Sequence, residues 1–289
     1  MKKSTSILLW ALAFLLTLLI SVYQRMTGPT YPARGKETFQ GGSISYKLIR
    51  SQTVKETIPV MITVSEPSLK AFLFYRHYNA NEEWLTTEMK REGETLNAVI
   101  PPEDQYAAKV EYSVRVENGD QSLWLNKGKS VVARFKGAVP LFYLITHIIF
   151  MFFSILFALR TGLEVLRKNG QYEWLVNWTL GITCIGGLIL GPIVQKYAFG
   201  DLWTGFPFGY DLTDNKILIA VICWVLAFFL KKKSKWWVIA ATVVMIGIYL
   251  IPHSVLGSEL DYQTGKMKNK YSTIQKYEGE KSSHRLIVT

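Results

Sequence analysis

The sequence predicts an α+β membrane protein: an N-terminal transmembrane anchor, an extracytoplasmic β-sandwich and a four-helix transmembrane bundle, with five spans in total. Three observations predict this order. Long apolar runs lie near the start and in the second half of the chain, short alternating runs fill the region between them, and lysines and arginines gather at one side of the predicted spans. Hydrophobic residues make up 49% of the 289 residues, which suits a protein with both membrane and water-exposed parts.

The predicted anchor occupies residues 1–26. Lys2 and Lys3 precede an apolar run over residues 7–22, which is long enough for a short span or for the core of a signal peptide. The run continues into Tyr-Gln-Arg-Met at 23–26, without the small residues that a signal-peptide cleavage site requires. We therefore expect an uncleaved anchor.

The predicted β-sandwich occupies residues 27–136. Short runs there alternate apolar with polar residues, contain β-branched residues and are bounded by glycine, proline and asparagine. These features are typical of strands. The runs lie at 60–64, 71–75, 96–100, 110–116 and 131–135. Asn118-Gly119-Asp120 predicts a tight hairpin turn. About six or seven short strands in roughly a hundred residues indicate a sandwich.

One progression of residues in this region resembles bacterial fibronectin-type-III and immunoglobulin-like domains. It consists of 74–76, Trp84, Met89, 98–101 and 110–114. The resemblance covers residues 53–135, and it is to the cysteine-free branch, because the antibody-type cysteines are absent from this region. It implies a sandwich fold and leaves function open, since such domains serve as spacers, carbohydrate-binding modules and docking modules.

Four further apolar runs predict a four-span domain over residues 137–257. They lie near 139–159, 175–194, 217–230 and 236–251. Four glycines in the second of these runs predict a seam of close helix packing: Gly181, Gly186, Gly187 and Gly191. The runs contain almost no charge and no inverted repeat, which disfavours a transporter.

The basic residues predict the orientation. If every run spans, one side collects Lys2, Lys3, Arg160, Arg167, Lys168, Lys231, Lys232, Lys233 and Lys235. The loop over 197–215 on the other side has no lysine or arginine. The positive-inside rule then puts the N-terminus in the cytoplasm and puts the β-sandwich, this loop and a basic tail over 258–289 outside it. The expected location is a bacterial inner (cytoplasmic) membrane.

Membrane orientation also accounts for the net charge of +11, so the lipid bilayer is an expected partner and nucleic acid is not. Four tryptophans support this orientation, since they lie at predicted cytoplasmic ends, where indole rings prefer the headgroup layer: Trp174, Trp178, Trp236 and Trp237. The sequence contains no Walker loop, GxSxG elbow, HExxH or CxxC motif. These absences argue against catalysis of the kind that soluble enzymes perform, and the sequence favours a protein that is not an enzyme without deciding the question.

The loop over 197–215 combines glycines, a proline, aromatic residues and three carboxylates. Because it is too apolar for an ordinary solvated loop, we expect it to fold back onto the ends of the spans. Its aromatic residues are candidate binding residues: Trp203, Phe206, Phe208 and Tyr210. Thr213 or Asp214 is expected to cap the helix that follows.

Two histidines lie on the expected outer side, and a titratable ring inside a span is a candidate functional residue because its burial is costly. With nearby carboxylates they make up a candidate metal site: His147, His253, Asp211, Asp214, Glu259 and Asp261. Three alternatives stay open. The residues bind a transition metal, the two histidines ligate a haem, or the groups pair with each other and hold no ligand.

Two classes of function therefore compete. The favoured one is a non-catalytic membrane subunit that needs no cofactor and presents its immunoglobulin-like domain for docking to other membrane or envelope proteins, for example by strand addition. The C-terminal residues 285–289 are a candidate partner-binding strand. The competing class is a membrane redox or metal-binding protein that uses a metal ion or haem at the outer histidines.

Overall fold

The structure is a computed structural model that describes residues 3–252, 259–262 and 265–267. It is an α+β fold with an N-terminal apolar helix, a sheet-rich middle and several apolar helices. The described chain divides into two units. We call them the helical unit, with residues up to 29 and 139–252, and the β unit, with residues 30–138 and the described residues from 259 onward.

The helical unit contains six described helices. They are α1 (Lys3–Thr27), α2 (Leu141–Val165), α3 (Glu173–Thr183), α4 (Gly191–Phe199), α5 (Leu212–Leu230) and α6 (Trp236–Leu250). A π-helical segment, Cys184–Leu190, makes α3 and α4 continuous. Every predicted apolar run is thus helical. In the described chain, α1, α2, the α3–α4 helix and α5 are long and apolar enough to cross a membrane, whereas α6 is a shorter apolar helix.

The π-helical segment lies beside a proline and within the predicted glycine seam. Pro192 has no backbone N–H and interrupts the ladder of helical hydrogen bonds, and the Gly191 N–H donates to the Gly186 carbonyl five residues earlier. A Cβ on Gly187 would lie 2.6 Å from Ile217 Cγ2 of α5, and one on Gly186 would lie 3.0 Å from Phe150 Cβ of α2. The seam is confirmed at these two glycines.

Contacts between helices give the helical unit two distinct ends. Tyr143 near the start of α2 stacks on Tyr197 near the end of α4, with ring centroids 5.7 Å apart. The Lys216 Nζ near the start of α5 donates to the Ile251 carbonyl just after α6. We call this the loop end, because the α4–α5 loop lies there. The opposite end, where Lys231 donates to the Glu173 carbonyl, we call the lysine end.

The β unit consists of short strands, and all five predicted runs are among them. The strands are β1 (Ala33–Phe39), β2 (Gly42–Leu48), β3 (Ser51–Thr53), β4 (Ile58–Val64), β5 (Lys70–His77), β6 (Leu85–Glu88), β7 (Lys90–Glu92), β8 (Thr95–Ile100), β9 (Lys109–Asn118), β10 (Gln121–Trp124), β11 (Val131–Lys136), β12 (Leu260–Asp261) and β13 (Lys266–Met267). The predicted turn joins β9 to β10, and Gly119 there has a φ of +58°.

The longer strands form two sheets around one core. One sheet has the order β1-β2-β4-β8-β7, and the other has β3-β11-β9-β5-β6, with β10 also paired to β9. Burial alternates along β4 and β9, as expected for strands with one face on a core. The inward side chains of both sheets form one hydrophobic cluster that includes Ile62, Leu73 and Tyr112.

Candidate functional site

The loop between α4 and α5 folds back onto the first turn of α5, as the sequence predicted. The buried Asp214 carboxylate accepts hydrogen bonds from the Thr204 backbone N–H at 2.6 Å, the Thr204 hydroxyl at 3.2 Å and the Gln195 side-chain amide at 3.0 Å. The Asn215 side-chain oxygen accepts from the Phe206 N–H at 2.7 Å. Two neighbouring side chains of one helix therefore hold the loop backbone.

The helix cap at this point differs from the prediction. Asp211 is the N-cap residue of α5, and its Oδ1 accepts a hydrogen bond from the Thr213 N–H at 2.8 Å. The expectation that Thr213 or Asp214 caps the helix is wrong, because α5 begins at Leu212. Asp214 lies in the first helical turn, where a carboxylate also complements the helix dipole, and it binds the loop instead.

The four candidate binding residues lie in this loop. Phe206, Phe208 and Tyr210 are exposed. Trp203 is half-buried, and its indole N–H donates to the Phe206 carbonyl at 3.0 Å. Gly205 lies so close to α5 that a Cβ there would be 2.6 Å from the Asp214 Cβ. The loop backbone thus packs against the helix and leaves aromatic rings exposed.

Lys216 is a further polar residue at this end, and the sequence analysis missed it. Its side chain is buried, and its Nζ donates to the carbonyls of Ile251 at 3.2 Å and Pro252 at 3.4 Å. Carbonyls at a helix C-terminus lack partners within the helix, so this lysine supplies donors that α6 cannot. The available signal was a lysine at the start of the long apolar run of α5.

His147 belongs to a line of polar contacts between α2 and the α3–α4 helix. Its Nδ1 donates to the Gly186 carbonyl at 3.0 Å. Two further contacts follow at seven-residue intervals along α2, with oxygen–oxygen distances of 2.6 and 3.1 Å. The pairs of this polar seam are His147 with Gly186, Ser154 with Thr183, and Thr161 with Thr179. Side-chain hydrogen bonds between helices of this kind stabilise bundles in apolar surroundings.

The candidate metal residues do not form one described cluster. Within residues 3–252, 259–262 and 265–267, no group of three histidine, cysteine, aspartate or glutamate side chains is arranged to hold a metal ion. His253 lies outside the described residues, so its pairing with Asp211 or Asp214 stays a prediction. Asp261 lies in β12, and Glu259 is the residue directly before this strand.

Residues 259–262, which we call the clasp, pack within the β unit. Glu259 forms an ion pair with Lys109 at 2.6 Å and accepts a hydrogen bond from the Asn79 side chain at 3.1 Å. The Leu260 N–H donates to the Ala107 carbonyl at 3.3 Å, and the Leu260 side chain is 5% exposed in the β core. The clasp is thus an integral part of this unit.

Tyr262 completes the clasp. Its hydroxyl donates to the Lys109 carbonyl at 2.7 Å and accepts from the Lys109 N–H at 2.8 Å. Its ring packs on His77, with centroids 4.3 Å apart, and the two His77 nitrogens lie 2.8 and 2.9 Å from carboxylates of Glu82 and Glu103. Burial, and then the Glu103 charge, raise the pKa of the Tyr262 hydroxyl, so it keeps the proton that it donates.

A buried charged network near the lysine end was also missed. Arg160 and Glu164 are both buried, and the Arg160 Nη1 lies 2.7 Å from the Glu164 Oε2. Arg167 donates to the other Glu164 oxygen at 2.6 Å, and the Arg160 guanidinium lies 5.4 Å from the ring centroid of Trp10 in α1. The expectation of almost no charge within the spans is therefore wrong. The predicted span ended at 159, whereas α2 continues to Val165.

The Arg160–Glu164 contact is close but poorly aligned for hydrogen bonding. The Nε and Nη1 of Arg160 and the Oε2 of Glu164 are buried without a hydrogen-bond partner. An ion pair in this state depends on charge attraction and on the second arginine for compensation.

Comparisons of the chain with models of known protein families, with characterised proteins and with solved structures found no match.

Proposed function

We propose that the chain is a non-catalytic membrane subunit that crosses the membrane five times and presents an immunoglobulin-like β unit outside the cytoplasm. The β unit serves docking or assembly with other membrane or envelope proteins. The observation that carries the proposal is the opposite arrangement of polar and apolar side chains in the two units.

The helical unit has polar groups inside and apolar groups outside. All ten buried polar or charged side chains of the described chain belong to it. All but six of the exposed large apolar side chains belong to it as well, the six in the β unit being Met61, Trp84, Leu85, Val99, Tyr106 and Trp124. A surface of this kind suits hydrocarbon, because lipid tails are as apolar as the side chains that face them.

The clasp supports an even number of crossings between Ala138 and Glu259. The chain leaves the β unit after Ala138 and belongs to it again at Glu259, so both points lie on one side of a membrane. With α2, the α3–α4 helix and α5 as three crossings, α6 supplies the fourth. Its 15 residues span about 22 Å, and flanking apolar residues such as Ile251 extend it toward the roughly 30 Å of a hydrocarbon core.

Charge supports the orientation. The lysine end carries Lys231, Lys232, Lys233 and Lys235 within one short connection, whereas residues 197–215 at the loop end contain no lysine or arginine. Under the positive-inside rule the lysine end faces the cytoplasm. The β unit and the clasp then lie on the opposite side, in the envelope of a bacterial inner membrane.

Docking through the β unit is supported by an exposed edge. Among the strands that the structure describes, β6 pairs with β5 on one side and with none on the other, and all four of its residues are exposed. Leu85 is 58% exposed. The neighbouring Trp84 packs against Arg76, whose Cζ lies 4.5 Å from the indole ring centroid. A free strand edge with an apolar side chain at its start is suited to pairing with an extended segment of another protein.

The topology is tested with single cysteines in a Cys184→Ala, Cys223→Ala background and a reagent that does not cross membranes. Cysteines at Lys168 and Lys233 should react only after the membrane is opened, and those at Gly119 and the exposed Asp201 should react in intact cells. Inversion of either pair contradicts the orientation. Reaction of both pairs in intact cells contradicts the span count.

Docking is tested by co-purification from membranes of the source cell. Leu85→Asp in β6 should reduce the recovery of a partner, whereas Met61→Asp on the outer face of the other sheet should not. Met61 is a matched control because it is 55% exposed and also lies in a strand. Equal recovery with both variants contradicts docking through the β6 edge.

A further inference from the structure

The loop over residues 200–211, which we call the aromatic loop, presents an apolar surface at the loop end of the helical unit. Leu202, Phe206, Phe208 and Tyr210 are 51%, 59%, 70% and 42% exposed. Exposed apolar patches mark interaction surfaces, whereas single exposed apolar side chains do not.

Several N–H groups of the aromatic loop are hydrogen-bonded within the helical unit. The N–H groups of Thr204 and Phe206 bind side chains of α5, and the Trp203 indole N–H binds the Phe206 carbonyl. The Phe208 N–H donates to the Gly205 carbonyl at 2.9 Å. Because irregular backbone enters an apolar layer only when its polar groups are paired, this bonding suits the loop to a layer poorer in water.

The apolar surface continues onto neighbouring helices of the same unit. Phe142 at the start of α2 is 72% exposed, and Tyr197 at the end of α4 is 42% exposed. Along α5, Ile219 and Ile222 are each 50% exposed. Exposed aromatic side chains of the loop are thus followed by exposed aliphatic side chains along α5. Membrane proteins show the same sequence of side chains from the headgroup layer to the hydrocarbon core.

We propose that the aromatic loop inserts into the lipid headgroup layer, with Phe206 and Phe208 as its deepest side chains. This inference rests on the proposed membrane topology and identifies the partner of the loop as lipid rather than protein. The loop carries the carboxylates of Asp201 and Asp211 and no basic residue, so neutral or zwitterionic headgroups suit it better than anionic ones.

The test uses the full chain in nanodiscs of phosphatidylcholine, in the Cys184→Ala, Cys223→Ala background. A spin label is attached at Phe208→Cys, and its collisions with oxygen, which concentrates in lipid, and with a water-soluble nickel chelate are measured. Ile219→Cys is the control for a lipid-facing site, and Ser130→Cys is the control for an exposed site in the β unit.

We expect the label at Phe208 to collide with oxygen more, and with nickel several-fold less, than the label at Ser130, at a depth shallower than Ile219. Collision behaviour equal to Ser130 overturns the insertion. Shielding from both reagents also overturns it, because it indicates a protein partner or a second copy over the loop. If Ile219 itself collides freely with nickel, the membrane topology fails; if only Phe208 does, the topology stands and the insertion fails.

Discussion

The two units of the chain place charged side chains in opposite ways. In the β unit, the ion pair of Lys70 with Glu88 joins side chains that are 71% and 58% exposed. In the helical unit, the pair of Arg160 with Glu164 joins side chains that are 2% and 5% exposed. The cores differ accordingly, since the described β core consists of apolar side chains and tyrosines such as Tyr112, whereas the helical interior also contains charged side chains.

This difference implies that removing an ion pair changes the stability of the two units by different amounts. An exposed pair is solvated whether or not it forms, so its removal changes little. A buried pair cannot regain solvent when one partner is lost, so its removal leaves an unpaired charge. The predictions below use matched substitutions in the two units to measure that contrast.

The largest effect is expected for Glu164→Ala. Loss of this carboxylate leaves Arg160 buried without its counter-charge and also removes one acceptor of Arg167, so the free energy of unfolding should fall by about 3 to 5 kcal/mol. Glu88→Ala in the exposed pair should cost at most about 1 kcal/mol. Equilibrium unfolding of the full chain in lipid–detergent micelles measures both.

A double variant separates charge from packing in this network. Arg160→Met with Glu164→Leu replaces the pair by apolar side chains of similar size, and it should be far closer to the wild type in stability than Glu164→Ala. If Glu164→Ala and Glu88→Ala cost the same, the buried pair is not special and the contrast between the units fails.

Tyr46 should contribute to a loss of stability of the β unit at alkaline pH. Burial, followed by the hydrogen bond that its hydroxyl donates to Glu37 at 2.8 Å, raises the pKa of Tyr46 to about 12. Because the folded state holds this proton more tightly than the unfolded state, the stabilisation is complete below pH 10 and is lost as the pH rises toward 12. The loss attributable to Tyr46 is at most about 2 to 3 kcal/mol.

Unfolding of the full chain, followed by the signal of the β unit between pH 8 and 12, checks this expectation. In Tyr46→Phe the free energy of unfolding should fall less steeply with pH than in the wild type. Tyr106→Phe, at an exposed position, should leave that slope unchanged. A decline that is as steep in Tyr46→Phe as in the wild type contradicts the assignment.

Five strands of the β unit and the apolar helices of the helical unit were predictable from hydrophobic patterns. Alternation marked strands such as β4 and β9, and long apolar runs marked the helices, because burial on one face or exposure to an apolar surround imposes those patterns. Period does not mark where an amphipathic end stops, so the sequence analysis ended a span at 159 while the helix runs on to Val165. The sequence analysis therefore did not detect the charged network of Arg160 and Glu164, which lies in the last turns of this helix.

The candidate site was predicted less well, because its partners are distant in sequence. That the 197–215 loop folds back followed from its composition, whereas the contacts of Asp214 with Gln195 and Thr204 require three-dimensional positions. Glu259 was taken as a ligand, yet it pairs with Lys109 at a sequence separation of 150. Strands of two residues, such as β12, carry no detectable period.

A moderate effect is expected for Tyr262→Phe in the clasp. The substitution removes the hydroxyl that donates to the Lys109 carbonyl and accepts from its N–H, at a cost of about 1 to 2 kcal/mol. Hydrogen exchange at Ala107–Lys109 should become faster, while Tyr106→Phe, a neighbouring exposed tyrosine, should not change it. Unchanged exchange in Tyr262→Phe indicates that the clasp does not stabilise these residues.

The smallest effect is expected in the polar seam between α2 and α3. Ser154 and Thr183 share a hydrogen bond of 2.6 Å, and both side chains are buried. Such bonds between membrane helices average only about 0.6 kcal/mol, because polar groups find other partners when the helices separate. Ser154→Ala, Thr183→Val and the double variant form a cycle whose coupling energy, measured by unfolding in micelles, should be about 0.6 kcal/mol. Coupling as large as the loss in Glu164→Ala would contradict the ranking, because it would make hydroxyl pairs equal to buried charges in holding the helical unit together.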